Sequence, residues 1–207
     1  CLVGSEMCIR DRLEIACWDI LGKERNRPVW ALLGGKMNES IRAYSYLYPL
    51  ENHDLKSFWT SPENAAESAS DLVSRGYTAL KFDPAGPYTM RGGHQPALSD
   101  IELCVSFMEE IRAAIGNRAD LLLGTHGQFT TSGAIRFGQA IERFNPLWFE
   151  EPIPPDNLLE FQKLARSLKV PIAAGERLTT KYEFATLLRS GGISILQPAL
   201  GLSLIHI

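Results

Sequence analysis

Side chains able to do acid, base or metal chemistry recur where apolar runs end. Trp148-Phe149-Glu150-Glu151-Pro152 closes one run and Ala174-Gly175-Glu176-Arg177-Leu178 follows the next. If these runs are neighbouring strands, Glu150 and Glu176 aim at one spot. Two converging carboxylates either share a proton or hold a cation, and a hard ion such as Mg²⁺ takes oxygen ligands while keeping positions open for water or substrate. The structural alternative is ion pairing with Arg177 or Lys181. Lys81 and Asp83 end another run with one residue between them, so strand alternation puts both on one side. A lysine there can contact a substrate carboxylate or act as a base; the alternative is a solvated pair at a strand end. His126, in Gly124-Thr125-His126-Gly127-Gln128, is a candidate general acid or base. His94, Gln128 and Gln197 are candidate substrate contacts, with a plain surface-loop role as the alternative for His94.

These residues need elements to position them. Apolar runs at 41–48, 77–82, 119–123, 147–149, 170–173 and 193–196 alternate with amphipathic stretches at 62–75, 98–116, 132–143, 156–168 and 180–190. Strand–helix alternation at this period predicts a parallel sheet. Ser61-Pro62 and Ser99-Asp100 read as helix starts, and Gly76 and Gly116 as helix stops. Residues 13–33 read as helical, with Leu13, Ala16, Cys17, Ile20 and Leu21 on one face. Pro28 opens a second short helix that ends at Gly34-Gly35. No GxGxxG or Walker loop follows the first strand, which argues against a dinucleotide or P-loop fold. Polar groups at the ends of several different strands argue instead for a (β/α) barrel of the TIM type, with about six of eight strands present. The Gly- and Pro-rich loop at 83–97 is long enough to predict a functional role.

The chain has 207 residues, a formal net charge of −3 and 45% hydrophobic residues, an ordinary globular composition. No apolar run reaches membrane-span length, and no clustered basic face invites nucleic acid. The four cysteines, Cys1, Cys8, Cys17 and Cys104, form no metal-ligand spacing, which predicts a reducing, cytoplasmic setting. Cys17 and Cys104 fall in helical patterns and read as small buried hydrophobes.

The two ends, CLVGSEMCIRDR at 1–12 and GLSLIHI at 201–207, resemble read-through of sequencing-adapter DNA and are expected to be non-native. Cys1, Cys8 and His206 then carry no function. The expected organisation is a helical junction at 13–40, the end of a missing N-terminal cap domain, followed by a partial barrel at 41–200.

The motifs in order resemble the enolase superfamily, and within it the mandelate racemase and muconate lactonizing enzyme family. The resemblance is carried by Ala16 to Lys23 with Pro28-Val29 and Leu32 to Gly35, by Gly76-Tyr77 through Lys81-Phe82-Asp83, by the EEP segment at Glu150, and by Gly175-Glu176 and Ile195 to Pro198. It implies a Mg²⁺ ion held by three acidic residues, which binds the substrate carboxylate and stabilises the enediolate formed when a base removes the α-proton. Glu150 and Glu176 match two of the ligands. Gly124 stands where the family usually places an aspartate, and Asp83 is the expected substitute.

Asp83 also stands where racemases of the family carry a second lysine, which argues against simple racemisation. His126, two residues after the first ligand position, resembles the sugar-acid dehydratases of the galactonate and mannonate type, where such a histidine protonates the departing hydroxyl. Ala199 stands where many relatives carry the aspartate that orients a catalytic histidine. The resemblance thus implies a lyase that dehydrates a small-molecule sugar acid, with Lys81 and His126 catalytic, and a homo-oligomer when full length. A cycloisomerase or epimerase of the same family, and a non-catalytic sugar-acid-binding relative, are the alternatives. The 207-residue chain alone is expected to be inactive, lacking the cap and the last two strands.

Overall fold

Runs rich in branched aliphatic residues, bounded by Gly, Pro and polar clusters, form short strands, and the amphipathic stretches between them form helices. The computed structural model describes residues 5–83 and 93–199, with side chains from residue 13 onward. The elements run α1 Ser5–Arg25, α2 Val29–Leu32, β1 Ser45–Tyr46, α3 Pro62–Ser74, β2 Ala79–Phe82, α4 Leu98–Ile115, β3 Asp120–Gly124, α5 Thr131–Ile141, β4 Trp148–Glu150, α6 Leu158–Ser167, β5 Ile172–Ala174, α7 Lys181–Ser190 and β6 Ile195–Leu196. Short 3₁₀ turns lie at Phe58–Thr60 and Glu142–Phe144. α1 begins inside the segment expected to be non-native. The tail at 201–207, and most of the loop at 83–97, lie outside the described residues.

The six strands form one sheet in the order β1-β2-β3-β4-β5-β6, and every pairing is parallel. A doubly wound sheet reverses its strand order at a switch point. Strictly sequential order is barrel order, so the fold is an incomplete (β/α) barrel. The register aligns Tyr46 with Lys81, Lys81 with Leu122, and Gly124 with Glu150. Polar residues of β1, β2 and β4 therefore reach the sheet's C-terminal ends at adjacent levels, with Gly124 of β3 between them.

The described residues divide into two compact units, one within 43–174 and 187–197, the other within 1–42, 175–186 and 198–207. The first holds the whole sheet. Leu80, Leu121, Leu122, Leu123, Phe149 and Ala173 are fully buried in it, as expected for strands covered on both faces. Phe129, Phe137 and Phe149 stack in series behind β3 and β4, with centroids 5.1 Å and 5.7 Å apart. Phe137→Ala is expected to cost about 3–5 kcal/mol; urea denaturation checks it, and a loss below 1 kcal/mol would mean the stack is not a packing centre.

The helix starts follow local chemistry. Ser61 accepts a hydrogen bond from Asn64 N with Pro62 in the first turn, Thr130 accepts from Gly133 N, and Asn157 accepts from Leu159 N. α4 differs from expectation: its cap is Ala97, not Ser99. The Asp100 carboxylate reaches back to accept from Ala97 N at 3.1 Å, the half of a capping box that an acidic third residue supplies. Gly76 and Gly116 end α3 and α4 with φ of 94° and 60°, which only glycine adopts freely.

In the second unit, α1 and α2 are followed by Gly34 and Gly35 in left-handed conformations. Cys104 is buried as expected, and burial pushes its thiol pKa up. Cys17, expected to be buried, is exposed. Its helical face includes Leu13 and Ile20, exposed to 64% and 65%. A periodic stripe identifies the apolar face of a helix but not whether anything covers it. Among the described residues, no helix is long and apolar enough to cross a membrane.

Candidate active site at the strand ends

The first ion pair of the site crosses strands β2 and β4. Lys81 Nζ donates to Glu150 Oε1, and the two side chains are 8% and 4% exposed. At that burial a carboxylate needs a cation or several donors. Glu150 also accepts from Trp148 Nε1 at 3.1 Å through its other oxygen. For Glu150 the structure shows an ion pair that the sequence reading had not considered. Glu150 pairs with Lys81, 69 residues away in the chain. Lys81 in turn is not a solvated partner of Asp83.

Asp83, just past β2, is held from two sides. Tyr46 Oη on β1 donates to its Oδ1, and His126 Nε2 lies 2.7 Å from its Oδ2. Burial first, and then the adjoining Asp83 carboxylate, raise the Tyr46 phenol above its ordinary pKa. The Tyr46 ring also faces the Lys81 ammonium, 5.3 Å from the ring centroid.

Gly124 ends β3 opposite Glu150, between these groups. A Cβ there would run into Asp83 Oδ1 and lie 3.1 Å from Lys81 Cε and 3.3 Å from Tyr46 Oη. The Asp83 carboxylate thus fills the space beside β3 that a side chain at 124 would need.

Backbone strain marks the same place. His126 and Glu151 both adopt positive φ, 54° and 44°, although neither is glycine. Such conformations cost about 1–3 kcal/mol each and persist only where the surroundings hold them. Here the segment after β3 is zipped to the segment after β4. Thr125 Oγ1 donates to the carbonyls of Glu150 and Glu151, each at 3.0 Å. Gly127 N donates to Glu151 O at 2.6 Å, and Phe129 N to Pro152 O at 3.3 Å. This zipper aims the His126 ring at Asp83.

Lys81, Asp83, His126 and Glu150 are thus assembled within one unit. Gln128 is buried beside them in sequence, its Oε1 without a hydrogen-bond partner, and Gln197 Oε1 after β6 is likewise buried and unpartnered. His94 is tied by its backbone to the segment after β3: its N donates to Gln128 O and its O accepts from Thr130 N. Its ring packs edge-on against Phe129 rather than joining the carboxylates. Glu176 follows β5 in the turn Gly175–Leu178, in the other compact unit.

Two residues of the site escaped the sequence reading. Trp148 carried a signal, since it alternates with Glu150 on one strand and so shares its face. Tyr46 had none beyond lying near the end of a short apolar run.

The residues fit a hard cation in chemical type. Asp83 and Glu150 are oxygen donors with one hydrogen bond to each oxygen, which leaves further lone pairs on both carboxylates. Among the described residues, no group of three or more His, Cys, Asp or Glu side chains is set as a ready-made metal cage.

Residues 64–203 match the family described as enolase C-terminal domain-like. The chain belongs to that family. A solved structure of a mandelate racemase/muconate lactonizing enzyme-like protein from a Roseovarius species is 67% identical, with a TM-score of 0.89, over 93% of this chain and 49% of that one. A protein of Picrophilus torridus named D-gluconate/D-galactonate dehydratase is 38% identical over 89% of this chain and 44% of its own length. One of Klebsiella pneumoniae named D-galactonate dehydratase is 31% identical over 91% and 46%. The chain therefore spans about half the length of these relatives.

Proposed function

We propose that this enolase-family chain, extended to the length of its relatives, is a Mg²⁺-dependent hydro-lyase that converts a sugar acid into a 2-keto-3-deoxy acid. The observation that carries this reading is the pairing of Lys81 with Glu150 and of His126 with Asp83 across the C-terminal ends of β2, β3 and β4, where enzymes of this architecture place their chemistry. The names of the two dehydratase relatives support the substrate class.

Asp83 and Glu150 would hold the ion from within the sheet-bearing unit, and Glu176 is assigned to it by the family resemblance alone. A bound Mg²⁺ would supply Lewis-acid stabilisation of charge developing on the substrate carboxylate. Lys81 stands beside Glu150 to contact that carboxylate or take the proton from C2. His126 gives a proton to the 3-hydroxyl as the C3–O bond breaks, so that water leaves. The enol left at C2–C3 takes up a proton at C3 to give the ketone. Gln128 and Gln197, with buried unpartnered amide oxygens, are proposed to accept from substrate hydroxyls.

The test is incubation with Mg²⁺ and a panel of aldonic and aldaric acids, read by appearance of 2-keto-3-deoxy acid. Formation that a chelator stops and Mg²⁺ restores is expected. A substrate altered by NMR without loss of water would replace this reading with an epimerase or cycloisomerase. Sugar-acid binding without turnover of any kind would replace it with a non-catalytic binding protein. His126→Asn is expected to lower kcat by about 10²–10⁴-fold at saturating Mg²⁺; a loss under threefold would remove His126 from the chemistry.

A further inference from the structure

Asp83 can reach the space beside Gly124 only if something holds it there. Its residue lies past the last paired position of β2, so the ladder does not fix its direction. Tyr46 supplies the constraint from the opposite side: it sits on β1 in register with Lys81, and its hydroxyl donates to Asp83 Oδ1. The Tyr46 ring is itself braced by Tyr48, with centroids 5.8 Å apart. The phenol oxygen also lies within 3.3 Å of where a Cβ at Gly124 would be. Tyr46, Asp83 and Gly124 thus form one steric and hydrogen-bonded unit across three strands.

We propose that Tyr46 is the positioning residue that lets a carboxylate carried on β2 serve the site where β3 has only Gly124. The proposal rests on the metal-binding reading of Asp83 given above. Tyr46 orients one Asp83 oxygen and His126 the other, and the lone pairs left over would be available to an ion. Partners that orient a ligand in this way typically govern metal affinity by about 10–100-fold. A tyrosine that merely filled space would support the fold without setting affinity.

The experiment measures Mn²⁺ affinity by electron paramagnetic resonance in protein of the relatives' length, for wild type, Tyr46→Phe, Asp83→Asn and the double variant, with thermal midpoints alongside. Tyr46→Phe is expected to weaken Mn²⁺ binding about 10–100-fold. In the Asp83→Asn background the same substitution should change affinity by less than about threefold, because two residues acting through one interaction do not add. Unchanged affinity in Tyr46→Phe while Asp83→Asn binds poorly would overturn the role of Tyr46 and leave the metal site standing. Full multiplication of the two effects would also overturn it. No Mn²⁺ binding in wild type, or indifference to Asp83→Asn, would bring down the metal reading of Asp83 and this proposal with it.

Discussion

Lys81→Met is expected to remove turnover and to destabilise the protein by about 3–5 kcal/mol in the absence of divalent ions. Methionine keeps most of the stem volume of lysine, so packing is nearly conserved and the change isolates the ammonium. What is left behind is Glu150, its side chain 4% exposed, with the Trp148 indole still donating to its other oxygen. A buried carboxylate stripped of its cation carries the cost of desolvation without the compensating attraction. A surface pair would lose under about 1 kcal/mol on the same substitution, so the magnitude decides between a buried and a solvated role. Divalent ion gives a second check. If Glu150 is a ligand, Mg²⁺ at about 100 times its Kd should return about 2.7 kcal/mol to the variant. Urea denaturation with and without Mg²⁺ measures both. A loss below 1 kcal/mol would show that the Lys81–Glu150 pair is not what satisfies Glu150, and a loss that Mg²⁺ leaves untouched would take Glu150 out of the metal site.

The fold was legible because each strand is a short apolar run with punctuation at both ends, and covering the sheet on both faces demands such runs. Leu121-Leu122-Leu123 and Ile172-Ala173-Ala174 could sit nowhere else. The strand-end groups Lys81, Asp83, His126 and Glu150 were legible for a related reason: a polar residue at the end of an apolar run has to be explained. Their partners were not. Sequence reading looks for partners nearby, and so considered Arg177 and Lys181 for the glutamates, whereas parallel strands bring together residues tens of positions apart. Lys81 meets Glu150, Tyr46 meets Asp83, and His126 meets Asp83 across loops whose lengths carry no information about register. Ser99 lost the cap of α4 because the helix starts two residues earlier, at Leu98 after Ala97, where the Asp100 carboxylate accepts from Ala97 N. Leu13, Cys17 and Ile20, read as one face of α1, are exposed, because exposure follows from what packs on a helix, which periodicity does not encode.

The exchange of a carboxylate between strands makes the sharpest test of the site. Gly124→Asp alone is expected to destabilise the protein by about 1–3 kcal/mol through overpacking, because its Cβ would run into Asp83 Oδ1 and press on Lys81 Cε and Tyr46 Oη. It also sets two carboxylates against each other, which disfavours the charged form of both. Asp83→Gly alone should weaken divalent-ion binding by removing a ligand. Combined, the two substitutions relieve each other: the space Asp83 vacates is the space the new side chain needs. The carboxylate then projects from β3 at the level where Gly124 pairs with Glu150. The coupling between them is expected to be favourable by about 0.5–3 kcal/mol in both ion affinity and stability. In that background Tyr46 no longer faces Asp83, and Tyr46→Phe should matter only as far as the phenol reaches the new carboxylate. Isothermal titration with Mg²⁺ and thermal midpoints of the four proteins supply the cycle. Additive effects would mean that Asp83 and position 124 do not share one ligand place. A stability coupling without an affinity coupling would mean that they share space but not the ion.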